Sequence, residues 1–146
     1  FQQAGLVSNL NALGNVNLAL RYHADVFGLT ERMIEERAKE ELDRVRIGES
    51  ELYALPAHLS FGTRKRVALA RTIALRPNFM FFDDPDAGLD SATSAVVHEL
   101  ILACRDDPTM TTLVCTNHKV LLDAIGQHPK ELYGGHLLAQ TYRRVE

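Results

Sequence analysis

Two short apolar segments, separated by one helical segment, constrain the fold of this chain most. Residues 79–82 read FMFF, and residues 111–116 read TTLVCT, which is rich in β-branched side chains. Continuous apolar runs of this length are typical of strands buried on both faces of a parallel sheet. Between them, residues 91–104 carry apolar side chains at helical spacing, with Asp90 or Ser91 as the cap. Strand–helix–strand order predicts an α/β fold with a parallel sheet.

The first half of the chain is predicted to be helical. Residues 15–27 can begin a helix, and Thr30 is placed to cap a second helix that Gly48 ends. On the outer face of that helix, i,i+4 spacing predicts two exposed ion pairs. The predicted pairs are Glu35 with Lys39 and Glu40 with Arg44, and the predicted apolar stripe is Met33, Ile34, Ala38, Leu42 and Val45.

Ser60 is predicted to cap a third, basic helix that ends near Arg76, because Pro77 follows. Its cationic residues at 64–66 are expected to form a solvated face. Beyond the second strand, residues 119–125 are predicted to be helical. Residues 130–143 indicate a hairpin around two consecutive glycines.

Composition narrows the class of protein. The chain has 146 residues, of which 46% are hydrophobic and 24% are charged, so a globular domain with a real core is expected. A formal net charge of -3 argues against a nucleic-acid binder. No apolar run approaches the roughly 20 residues of a membrane span, and no signal peptide is visible. Cys104 and Cys115 fit neither a disulfide framework nor a metal cluster, and both are expected to be buried and reduced.

Polar residues follow both predicted strands. Asp83 and Asp84 end the first strand, and Asn117 and His118 follow the second. Open α/β sheets bind ligands beyond the carboxyl ends of their strands. If the two strands are neighbours, these side chains converge in an arrangement suited to a hard cation such as Mg²⁺ and to acid–base chemistry. The alternatives are a solvated strand end for the acids and an ordinary loop or core histidine for His118.

The start of the basic helix is a second candidate site. Ser60, Phe61, Gly62 and Thr63 open this helix, so its unpaired backbone N–H groups and the positive end of its dipole face outward. Such a helix start can bind an anion, and Gly62 would let a ligand approach the backbone. The alternative is a plain capped helix.

Several motifs in a fixed order resemble those of the ATP-binding subunits of ABC transporters. FQQ at residues 1–3 resembles the Q-loop, LSFGT at 59–63 the signature, FMFFDD at 79–84 Walker B, AGLD at 87–90 the D-loop, and TNH at 116–118 the switch histidine loop. The resemblance implies an incomplete core of the P-loop NTPase type, built on a parallel sheet, with an α-helical subdomain. Residues 1–76 would hold the Q-loop and that subdomain, and residues 77–146 the partial α/β ATPase core.

The resemblance also implies roles for individual residues. Asp83 would hold Mg²⁺, and Asp84 stands where the family has its general base. His118 would contact the γ-phosphate of ATP. Gln2 would link the metal and the attacking water to the transmembrane partner.

The signature and the D-loop imply a second group of site residues. Ser60, Gly62 and Thr63 would bind the γ-phosphate of ATP held on the opposite subunit, and Asp90 of the D-loop is a further nucleotide contact. The implied cofactors are ATP and Mg²⁺. The implied partners are transmembrane permease subunits and a second ATPase subunit in a head-to-tail homodimer, with no nucleic acid. The implied place is the cytoplasmic face of the membrane, as a peripheral subunit.

Three departures from the family pattern limit these expectations. Asp84 replaces the usual Glu, and in the signature Phe61 and Thr63 replace a Gly and a Gln. The P-loop G-x-x-x-x-G-K-[ST] is absent, since no glycine of the sequence precedes a lysine. We therefore expect the C-terminal part of a longer ATPase, which by itself binds ATP poorly and does not hydrolyse it. The alternatives are a degenerate, non-catalytic ABC domain with a structural or regulatory role, and a non-transport ABC ATPase.

Overall fold

A computed structural model describes residues 4–126, 130–133 and 136–139 of the chain. Gln2, one of the predicted site residues, lies outside the described residues.

Three long helices pack on one another in the first half. They are α1 (Ala12–Tyr22), α3 (Glu31–Arg44) and α5 (Phe61–Ile73), with the short helices α2 (Ala24–Phe27) and α4 (Glu49–Leu52) and a 3₁₀ turn (Pro56–His58) between them. Each long helix begins with a side-chain cap, which satisfies one of the N–H groups that a helix start leaves free. The caps are Asn11, Thr30 and Ser60. Thr30 and Ser60 confirm the predicted helix starts.

A parallel strand pair forms the second half, as predicted. Strand β1 (Phe79–Asp83) pairs with β2 (Thr111–Cys115), with Phe79 opposite Thr111 and Asp83 opposite Cys115. Helix α6 (Ser91–Asp106) connects the strands, packs on β2 and contacts α7 (Lys119–Ile125). Strands β3 (Lys130–Tyr133) and β4 (His136–Ala139) pair antiparallel, which confirms the predicted hairpin.

One continuous core joins the helical and α/β parts. Leu20 of α1 and Val67 of α5 belong to the same buried cluster as Phe82 of β1 and Ile101 of α6. The division of the chain at residue 76 into two units stays a prediction, because buried side chains on both sides of that point share this core.

Only one face of the strand pair is buried within the described residues. Met80 and Phe82 lie in the core, whereas Phe79 is 56% exposed, Phe81 53% and Leu113 50%. Side chains alternate between the two faces of a strand, and the described helices cover one face only. The prediction of strands buried on both faces is therefore wrong for this part of the chain. Cys115 lies on the exposed face, contrary to expectation, whereas Cys104 of α6 is buried as expected.

Details of helix α3 differ from prediction. It ends at Arg44, and Gly48 is instead the N-cap of α4, with its N–H donating to the Glu51 carboxylate at 3.1 Å. Lys39 pairs with Glu35 at 2.6 Å as predicted. Arg44 pairs at 2.9 Å with Glu41, one position nearer than the predicted Glu40. The apolar stripe is buried except for its first residue, Met33, which is 45% exposed.

The basic residues of α5 are not the free solvated face that the sequence predicted. Arg66 donates to the carbonyl oxygens of Val45 at 2.7 Å and Arg46 at 2.6 Å, so it caps the C-terminal end of α3. Lys65 donates to the carbonyl oxygen of Ala87 at 2.6 Å. These cations hold α5 to its neighbours. Sequence spacing could not predict this, because the acceptors are backbone atoms about 20 residues away.

Every helix in the described part of the chain is too short or too polar to span the hydrocarbon layer of a membrane.

Candidate functional site

Two carboxylates lie at the carboxyl end of strand β1, at the edge of the sheet where the sequence predicts a site. Asp83 and Asp84 are both exposed. The backbone N–H of Asp84 donates to the carbonyl oxygen of Cys115 at 2.8 Å, which ties the end of β1 to the end of β2. Asp84 has a φ of 46°, in the left-handed region. Asp and Asn adopt this region more readily than other residues with a Cβ, because their short polar side chains can hydrogen-bond locally.

Both carboxylates line a cleft of about 700 Å³ that also includes Phe61 and Lys65 of α5 and Gly88. Within residues 4–126, neither Asp83 nor Asp84 forms an ion pair. Carboxylate oxygens that are exposed and unpaired fit Mg²⁺, which binds through one or two carboxylates and keeps several waters.

The start of α5 is held by a chain of hydroxyl groups. The Ser60 hydroxyl accepts from the Thr63 N–H at 3.0 Å and donates to the Thr63 hydroxyl at 2.9 Å. The Thr63 hydroxyl in turn donates to the Glu51 carboxylate at 3.1 Å, and Thr63 is only 4% exposed. The Thr63 side chain therefore supports the loop from behind. The N–H groups of Phe61 and Gly62 are the ones that a helix start leaves without intrahelical partners.

The start of α5 packs against the D-loop segment, residues 87–90, of the same chain. A Cβ at Gly88, which has a φ of 74°, would lie 3.4 Å from the Phe61 ring. The Lys65 ammonium lies 5.3 Å from the centroid of that ring. Asp90 caps α6 by accepting from the Thr93 N–H at 2.9 Å, and this hydrogen bond holds the pKa of the Asp90 carboxyl below its usual range. The bulky Phe61 ring is therefore accommodated next to Gly88, which has no side chain to clash with it.

Sequence reasoning missed two side chains that contact or lie beside the predicted His118, namely Asp86 and His98. Asp86 Oδ2 lies 2.7 Å from His98 Nε2 and 3.4 Å from His118 Nδ1. The side chains of Asp86 and His98 are 3% and 11% exposed, whereas that of His118 is 46% exposed. His118 thus contacts a different carboxylate from the predicted pair, Asp83 and Asp84. The available signal was one histidine on the mostly apolar buried face of α6.

The segment that follows Gln2 is anchored to the helices. Asn15, which is fully buried, accepts from the Val7 N–H at 2.7 Å and donates to the Leu10 carbonyl at 2.9 Å. Arg71 of α5 donates to the Gly5 carbonyl at 3.0 Å, and burial lowers the pKa of its guanidinium. The chain at residues 5–10 is therefore held beside α1 and α5.

Comparison with known proteins identifies the family. A sequence profile described as "ABC transporter" matches residues 1–87, which is more than half of the chain. The chain belongs to the ABC transporter family. The match covers the predicted Q-loop, the signature and Walker B.

Curated relatives of the ABC family align over most of this chain. The lipoprotein-releasing system ATP-binding protein LolD of Hydrogenovibrio crunogenus is 34% identical over 91% of this chain and 55% of its own length. The probable ribonucleotide transport ATP-binding protein mkl of Mycobacterium leprae is 30% identical over 99% of this chain and 41% of its own length. The chain thus spans about half the length of the curated relatives it matches. The names of these two relatives give different cargoes, lipoproteins for LolD and ribonucleotides for mkl.

Solved ABC cassettes share the fold. The ATP-binding cassette MJ0796, described as a dimeric post-hydrolysis state bound to ADP and Pi, matches with a TM-score of 0.71 and 30% identity. The match covers 83% of this chain and 52% of the cassette. The fold of this chain is therefore that of part of an ABC ATPase cassette, with a parallel sheet and a helical part, as the sequence predicted.

Proposed function

We propose that this chain is part of the ATP-binding and ATP-hydrolysing subunit that powers an ABC transporter. The observation that carries the proposal is the pair Asp83 and Asp84 at the carboxyl end of β1, tied to the end of β2 just before His118. In this arrangement Asp83 holds Mg²⁺, Asp84 accepts the proton of the attacking water, and His118 contacts the γ-phosphate. Gln2 links this site to the transmembrane partner.

Phosphoryl transfer needs positioning and charge stabilisation more than covalent chemistry from the protein. Mg²⁺, when bound, neutralises the charge that develops on the phosphate oxygens. Asp84 contributes a carboxylate at a fixed place, because its backbone is bonded to Cys115 and held in the left-handed region. The side chain is exposed, so its oxygens can reach a water at the mouth of the cleft.

The subunit works as a head-to-tail homodimer in our proposal. The start of α5 carries free N–H groups at Phe61 and Gly62 and the positive end of the helix dipole, which favour a phosphate. Ser60 and Asp90 complete that nucleotide contact, and Thr63 holds Ser60 in place. A dimeric relative with bound ADP and Pi supports this assembly.

The transporter partner is a membrane permease subunit, and the complex lies at the cytoplasmic face of the membrane. Tyr22 is 85% exposed, Val26 78% and Phe27 46%, and they lie close in sequence at the end of α1 and in α2. Large apolar side chains grouped at a surface are typical of protein interfaces. Replacing Tyr22 and Val26 by Ser is expected to reduce co-purification with the permease and to leave basal ATP hydrolysis unchanged.

This chain alone binds ATP poorly and does not hydrolyse it, because its sequence has no P-loop lysine or P-loop glycines to hold the phosphates. Calorimetric titration of ATP and Mg²⁺ into the 146-residue chain tests this. An affinity equal to that of whole ABC ATPases would contradict it.

The central test is Asp84→Asn in the full-length polypeptide that contains this chain. Asn tolerates the left-handed conformation as Asp does, so stability should be unchanged. Loss of the carboxylate should lower kcat for ATP hydrolysis by about 100-fold or more. An active enzyme that Asp84→Asn leaves equally active would contradict the assigned role.

A non-catalytic ABC domain is the second candidate, and Asp84 itself favours it. Its side chain is one methylene shorter than the usual Glu, and a displacement of about 1 Å can cost roughly 100-fold in rate. This candidate predicts that the full-length wild type shows no ATP hydrolysis and that Asp84→Asn changes nothing.

A further inference from the structure

Asp86 and His98 form a buried pair beside the switch histidine, His118. Asp86 follows the two site carboxylates in the chain, and His98 lies on α6. The His98 Nε2 atom is 2.7 Å from Asp86 Oδ2, and the rings of His98 and His118 have their centroids 5.3 Å apart. The same oxygen, Oδ2, thus faces both rings.

A carboxylate that is 3% exposed requires hydrogen-bond donors, because burial removes its water. His98 supplies the short hydrogen bond and is itself buried, so the pair is held from the core side of α6. His118 makes the longer contact, at 3.4 Å through Nδ1, and its side chain is 46% exposed. Asp86 is therefore hydrogen-bonded to the buried His98 and makes a longer contact with the partly exposed His118.

We propose that Asp86 and His98 are positioning residues for His118. The Asp86 carboxylate favours the proton of the neutral His118 ring on Nδ1, which leaves Nε2 as the ring nitrogen free for the phosphate. His98 anchors Asp86 so that its oxygen stays at that place. This inference rests on the proposed function, since it concerns how the switch histidine is held.

A metal site built from the same three side chains is the competing explanation, since their ligand atoms lie within 4.8 Å of one another. Two ligands that are about 2.0–2.1 Å from a tetrahedral zinc ion lie about 3.3 Å apart. The 2.7 Å between His98 Nε2 and Asp86 Oδ2 is shorter and is a hydrogen-bond distance. The geometry therefore favours a hydrogen-bonded Asp86–His98 pair, which His118 contacts at 3.4 Å, over a set of metal ligands.

The first test reads the tautomer of His118 and needs no ATP hydrolysis. The full-length polypeptide is labelled with ¹⁵N-histidine, and imidazole ¹⁵N spectra are recorded near pH 8.5, where ordinary histidines are neutral. His118 is expected to carry its proton on Nδ1, the less common tautomer of free histidine. In Asp86→Leu it should revert to the Nε2–H form. An Nε2–H ring in the wild type, or one that Asp86→Leu leaves unchanged, overturns the proposal.

The second test separates anchoring from simple core packing. His98→Gln keeps an N–H donor near the place of Nε2, whereas His98→Leu keeps the bulk without a donor. His98→Leu should lower kcat for ATP hydrolysis about 10-fold, as displaced catalytic groups do, with an unchanged KM for ATP. His98→Gln should restore kcat to within about threefold. Where the wild type hydrolyses ATP, equal kcat values in the two variants overturn the role of His98, whatever their stabilities.

Two further outcomes are decisive. If the full-length protein hydrolyses no ATP but His118 keeps the Nδ1–H tautomer in an Asp86-dependent way, the proposed function fails and the positioning assignment stands. If the purified wild type retains one equivalent of zinc and His98→Gln retains none, the positioning assignment is overturned, because the three side chains are then metal ligands.

Discussion

Gly62 lies against Thr93 so closely that a Cβ at position 62 would be 3.0 Å from the Thr93 methyl carbon. The contact joins the start of α5 to the first turn of α6, the helix that Asp90 caps. Packing within this chain therefore favours glycine at this position of the signature, independently of any phosphate.

Gly62→Ala is expected to destabilise the chain by about 1 kcal/mol. Overpacking costs about 1–3 kcal/mol, and the gain in helix propensity of Ala over Gly offsets up to about 1 kcal/mol of that. Denaturant unfolding of the chain measures the difference. Thr93→Ser is the matched second change, because it removes the methyl group and keeps the hydroxyl that donates to Asp90 at 2.8 Å. If the cost of Gly62→Ala is the same in the Thr93→Ser background, this contact is not its cause.

Asn15→Leu should destabilise the chain by about 2 kcal/mol, because it removes the fully buried partner of the Val7 N–H and of the Leu10 carbonyl, whose hydrogen bonds to Asn15 are partly buried. Asn17, on the same helix, is a matched control. It is 9% exposed, and its Oδ1 accepts no hydrogen bond from any described residue. Asn17→Leu should therefore cost much less. Equal losses of unfolding free energy in the two variants would contradict the role assigned to Asn15.

Asp90 should stabilise the chain in a pH-dependent way. Its folded-state pKa is lowered, first by the Thr93 N–H, so the stabilisation is fully present above the ordinary value of 3.8 and is lost as the pH falls through the folded value. Asp90→Ser keeps a neutral cap that does not titrate. The free energy of unfolding of the wild type should exceed that of Asp90→Ser near pH 6, and this difference should shrink towards pH 2.5. Thermal unfolding at each pH measures the difference in stability between the two proteins. A difference that is constant with pH would refute the prediction.

The two cysteines should differ in reactivity. Burial raises the pKa of the Cys104 thiol, so less of the reactive thiolate is present at pH 8, and access is poor. Cys115 is exposed. In this chain, an alkylating reagent should modify Cys115 at least about 10-fold faster than Cys104. Cys115→Ser should abolish the fast phase and Cys104→Ser should keep it; a fast phase in Cys115→Ser would show that Cys104 is accessible.

Features that depend on a few neighbouring residues could be predicted from the sequence. Thr30, Ser60 and Asp90 are helix caps as expected, because each cap bonds an N–H only three residues ahead. The strand pair and the hairpin were also predicted, since apolar runs and paired glycines mark them locally. Even local spacing did not predict every pair, because two acidic residues lie within reach of Arg44. Arg44 pairs with Glu41 and not with the predicted Glu40.

Residue patterns were enough to predict the order of helices and strands, the family motifs and the edge of the sheet at which Asp83 and Asp84 lie. Which groups the site residues and their neighbours contact follows from the tertiary fold. In the folded chain, the Thr63 hydroxyl donates to Glu51, Arg66 donates to the carbonyl of Val45 at the end of α3, and His98 hydrogen-bonds to Asp86. The physical reason is that local propensities act within one turn or one strand, whereas these contacts join residues 12 or more positions apart through the packing of whole helices.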